Sequence, residues 1–85
     1  MSGAGEPPDA DIEAAIRRLA EARAPGTFCP SEVARGLAGE WRGLMPRVRE
    51  VASGMAGIVA TQGGAEVDAR GSRGPIRLGL RPPSP

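Results

Sequence analysis

An α+β fold, with helices first and a small antiparallel ribbon last, is predicted by three observations. From Trp41 to Ile58, apolar residues fall at Trp41, Leu44, Met45, Val48, Ala52 and Met55, the three-and-four spacing of one helix face. Two shorter segments before it carry similar spacing between capping residues and breakers. After Gly57 the period changes to two, as strands require. Three helices and then a Gly-turned β wing is the order of a winged helix-turn-helix, and that is the expected fold. A chain of 85 residues fits one domain. It is expected to span 9–80, with a disordered lead-in at 1–8 and a disordered tail at 81–85.

The first helix is predicted at 10–23. Asp9 or Asp11 offers an N-cap oxygen to unpaired backbone amides. Ile12, Ala15, Ile16 and Leu19 continue one face, and Glu13 stands four residues before Arg17, the favourable order for an exposed pair. Pro25 and Gly26 end the helix. Thr27-Phe28 reads as a brief strand, with Phe28 turned into the core. Pro30 suits the first position of a second helix, where its missing amide costs nothing. Cys29 is then the cap, Glu32 sits near the positive end of the helix dipole, and the helix runs from about 30 to 37.

Pro46 interrupts the third stripe. In a straight helix its ring opposes the Arg42 carbonyl, at a cost of about 3 kcal/mol, and it biases Met45 away from helical angles. A break is therefore expected: a turn over 40–44, then a new helix from 46 to about 56. That helix would bury Val48, Val51, Ala52 and Met55 and expose Arg47, Arg49 and Glu50. Beyond it, 58–62 is β-prone, and Gly63-Gly64 suits the positive-φ positions of a tight hairpin. Ala65 to Asp68 returns, 69–74 forms a flexible basic loop, and 75–80 alternates. Ile76, Leu78 and Leu80 share one side of that strand and Arg77 takes the other.

Composition narrows the function classes. Phe28 and Trp41 are the only aromatics, so the core must be aliphatic. All basic residues are Arg, which coding bias explains most simply, and the formal net charge is +1. Strong nucleic-acid binders carry a larger basic excess, so a binding face would need segregated charge. The single cysteine excludes an internal disulfide and fits a reducing cytoplasm, the expected location. No apolar run reaches membrane-spanning length, and the N-terminal residues lack the charged and apolar regions of a secretion signal. There is no P-loop, no Ser-His-Asp set and no GxGxxG opening a helix. No catalytic residue, metal site or cofactor is expected. Cys29 reads as a cap or packing residue rather than a reactive thiol, since no His exists to activate it.

Arg47, Arg49, Arg70, Arg73 and Arg77 form the one constellation with functional promise. In a winged helix the third helix enters the major groove and the wing follows the backbone. Arg neutralises phosphate or reads guanine with its planar fork. Two readings stay open. In one, the domain binds double-stranded DNA through these arginines. In the other, it is a protein-interaction module without DNA binding, because Glu50 lies within the presumed reading face. Arg35 and Arg42 offer an anion or a partner two cations, but are expected to pair with Glu32 and Glu40 instead, and Trp41 is expected to close the core between helices rather than stack on a base. The oligomeric state is open, a dimer included. An unbroken helix through Pro46, or arginines locked onto acids, would take away the DNA-binding surface.

The segments CPSEVAR (29–35, after Thr27), WRGLM (41–45), TQGG (61–64) with Val67-Asp68, and GPIRL (74–78) resemble a family of small bacterial domains of unknown function. The resemblance covers roughly 12–80. It implies a winged-helix-like fold and no established activity.

Overall fold

A computed structural model describes residues 7–82. The lead-in and tail expected to be disordered fall mostly outside the described residues. The element order is α1 (Asp9–Arg23), α2 (Pro30–Leu37), α3 (Trp41–Ser53), β1 (Ile58–Gln62), β2 (Ala65–Val67) and β3 (Arg77–Leu80). Neither Asp9 nor Asp11 caps α1. The cap position is Pro8, whose carbonyl accepts the Asp11 and Ile12 amides. Asp9 and Asp11 instead place charge in the first turn, where the dipole favours it. Glu13 and Arg17 form no ion pair among the described residues, so the expected surface pair contributes nothing.

α2 has the predicted bounds. Cys29 is its N-cap, and the Glu32 carboxylate accepts the Cys29 amide at 3.1 Å, the return half of a capping box. Three residues separate α2 from α3, which makes the helix-turn-helix.

The predicted break at Pro46 does not occur. α3 is one helix with Pro46 inside it. Breaking it would uncouple Leu44 from Val48, both essentially fully buried. Each such side chain contributes about 1.5–3 kcal/mol by burial, together more than the roughly 3 kcal/mol lost to the proline. Pro46 is also exposed, as is Arg42, so the Arg42 carbonyl that loses its amide can turn to water. The helix ends at Ser53, whose hydroxyl donates to the Glu50 carbonyl at 2.7 Å.

The three strands form an antiparallel sheet in the order β2-β1-β3. Phe28 adds a one-residue bridge to Leu78 on the far side of β3, with both backbone bonds made, at 2.9 and 2.7 Å. The brief strand expected at Thr27-Phe28 is therefore present. Gly63 and Gly64 both hold positive φ, 61° and 88°, and set the register Gln62↔Ala65 and Ala60↔Val67. Gly79 is buried in β3 against the 26–27 segment. A Cβ there would lie 3.1 Å from Thr27 Cγ2 and 3.3 Å from the Gly26 carbonyl.

One core joins all layers. Ile12, Ile16 and Ala20 of α1, Val33 and Ala34 of α2, and Leu44, Val48 and Ala52 of α3 meet Phe28, Ile58, Ala60, Ile76 and Leu78. Leu80 departs from the expected pattern: it shares the parity of Leu78 but is exposed at the sheet's end, beyond the helices that cover Leu78. Among the described residues no polar side chain is buried, and no helix is long and apolar enough to cross a membrane.

Candidate nucleic-acid interface

Successive residues of a helix are about 100° apart, so Arg47 and Arg49 lie about 160° apart around α3. They occupy opposite flanks of the buried stripe. Pro46 and Glu50 stand between them, and both are exposed. The two arginines predicted to share a reading face therefore do not share one.

Each has a structural partner. Arg47 pairs with Asp9, the first residue of α1. Arg49 reaches the loop between β2 and β3. Its Nη1 donates to the Ser72 carbonyl at 2.8 Å and its Nη2 to the Gly74 carbonyl at 2.6 Å. Gln62, from β1, donates Nε2 to the carbonyls of Arg73 (2.5 Å) and Pro75 (3.2 Å). Four consecutive carbonyls, 72 to 75, are thus held by two side chains. The loop expected to be flexible is pinned to α3 on one side and β1 on the other. The Asp68 carboxylate accepts the Arg70 amide at 3.0 Å, which turns the chain at the loop's start. Gly74 takes a φ of 82°, which a side chain would oppose.

Arg77 is likewise engaged. Its Nε donates to Thr27 Oγ1 at 3.0 Å, its Nη2 to the Thr27 carbonyl at 2.9 Å, and its Nη1 to Cys29 Sγ at 3.0 Å. It ties β3 to the start of α2. Arg70 and Arg73 differ: both are exposed, and neither guanidinium has an ion pair or hydrogen bond among the described residues. Met45, Pro46, Arg49, Glu50 and Arg70 line a groove between α3 and the loop.

The expected pairing of Arg35 and Arg42 with Glu32 and Glu40 does not form. Glu32 accepts Arg23. That bond first, and the Cys29 amide second, hold the Glu32 carboxyl below the usual glutamate range. Arg35 and Arg42 both lie over the Trp41 ring, each 4.5 Å from its centroid. Trp41 is half-buried against the core, so the lid reading holds, with two cations added over its ring. Beside the C-terminal end of α3, Arg81 pairs with Glu66 and lowers its pKa.

Three helices, a strand bridge, and a β hairpin whose return loop docks on the third helix define a winged-helix-like domain. The chain belongs to the DUF3253 family, described as proteins of unknown function, whose model matches residues 9–81. No curated protein matches it.

Proposed function

We propose that this domain binds double-stranded DNA without catalysis, through the 68–76 loop on the phosphate backbone. The unbroken α3, with Arg47 held by Asp9 and Arg49 by the loop, does not offer the reading helix expected from the sequence, so the contact rests on Arg70 and Arg73. The observation that carries this reading is the pinned loop. Arg49 and Gln62 fix four successive carbonyls, while Arg70 and Arg73 on the same loop keep all their donors. A loop ordered before binding loses less entropy when it meets a ligand. In this reading Arg70 and Arg73 contact phosphate, and Arg47, Arg49 and Arg77 hold the frame. Fluorescence anisotropy with a labelled duplex over a salt series tests it. Log affinity should fall linearly with log salt, and Arg73→Ala should weaken all sequences alike and reduce the slope by about 1. Absence of binding at low salt, or binding indifferent to salt, overturns it.

A second reading, a protein-interaction module, is favoured by Glu50. It is exposed mid-face on α3 without a cationic partner among the described residues, and a carboxylate there repels phosphate. Glu50→Gln separates the two: tighter duplex binding supports the DNA reading, and an unchanged inability to bind supports the module.

A further inference from the structure

The Trp41 corner lies outside the five arginines the sequence singled out. We infer that Arg35 and Arg42, stacked over Trp41, form a second phosphate-binding point that takes a backbone phosphate of duplex DNA at the N-terminal end of α3. The inference rests on the DNA-binding reading and adds a site to it.

The geometry carries it in three steps. Both guanidiniums lie 4.5 Å from one ring centroid, within the range of a cation–π contact. Stacking uses the face of a guanidinium and leaves its in-plane N–H donors at the edge. Those edges have no acceptor among the described residues. Glu32, close in sequence, is occupied by Arg23 and by the Cys29 amide, and Glu40, adjacent to Trp41, is exposed and forms no ion pair. Two like charges are thus gathered at one ring, and neither is paired with a carboxylate among the described residues. An anion relieves that repulsion, and one with several oxygens on a single centre matches the planar fork of Arg. A phosphodiester is such a group. The corner joins α2 to α3, so a phosphate fixed there would set one point of the domain on the backbone, while the wing arginines fix the other contact.

The chain holds one Trp and no Tyr, so its emission reports this corner alone. The test is a salt series with labelled duplex DNA, comparing the full chain with the double variant Arg35→Ala/Arg42→Ala, whose melting temperature is checked first. Loss of this one phosphate contact should lower the slope of log affinity against log salt by about 1, leaving residual binding through the wing. Unlabelled duplex should shift Trp41 emission with the same midpoint as the anisotropy. That second measurement decides the matter if the variant does not fold. An unchanged slope in a folded variant, or constant Trp41 emission while duplex binds, overturns this site and leaves the wing reading intact. No duplex binding by the unaltered chain overturns both. A response of Trp41 to polyglutamate and not to duplex would assign the corner to an acidic protein instead.

Discussion

On the flanks of α3, Arg47 and Arg49 direct their guanidiniums at Asp9 and at the carbonyls of Ser72 and Gly74. On the loop that owns those carbonyls, Arg70 and Arg73 meet no acceptor among the described residues. The four side chains are chemically identical. What separates them is the supply of nearby acceptors. α3 lies between the start of α1 and the return loop, so each flank finds an oxygen. The loop itself is held through its carbonyls by Arg49 and Gln62, and Asp68 accepts the Arg70 amide, but the Arg70 and Arg73 guanidiniums find no acceptor among the described residues. Arginine on the flanks of α3 acts as a cross-brace, and arginine on the loop stays available to a ligand.

That contrast can be broken at several points. The largest effect is expected at Pro46, which lies between the two flanks. Pro46→Ala restores a backbone bond and should raise stability by up to about 3 kcal/mol, read by urea unfolding. A loss would mean that the helix carrying both braces depends on the proline. Next comes Arg49→Ala. Removing a charged donor from two carbonyls should cost about 2 kcal/mol and should speed hydrogen exchange of the loop amides. Arg49→Lys should recover only part, because an ammonium does not span two acceptors as the fork does. Unaltered exchange would show that Gln62 alone holds the loop.

Acidification should give a smaller effect. The folded Glu32 carboxyl titrates below its ordinary value of 4.5, chiefly through Arg23. Its stabilisation is therefore complete above that value and is lost as pH falls through the lower folded value. Glu32→Gln should flatten the melting temperature below about pH 4.5; a parallel profile would remove the pair from the brace set. Arg73→Ala should have the least effect on folding, within about 0.5 kcal/mol. A larger loss would place Arg73 among the braces and weaken the proposed function.

The sequence by itself determined the order of elements, the bounds of α2, the bridge at Phe28 and the Gly63-Gly64 turn. Those features follow from local chemistry: capping, apolar period, and the backbone freedom of glycine. The same local rules broke α3 at Pro46, because a proline's penalty is local whereas the burial of Leu44 and Val48 that outweighs it comes from other elements. The candidate site depended still more on distant partners. Arg47 lies 38 residues from Asp9, Arg77 lies 50 from Thr27, and Arg49 lies 23 from Ser72. Residue type marked all of them as able to bind an anion. Only the tertiary structure, by bringing acceptors to some and withholding them from others, decided which arginines are braces and which remain open.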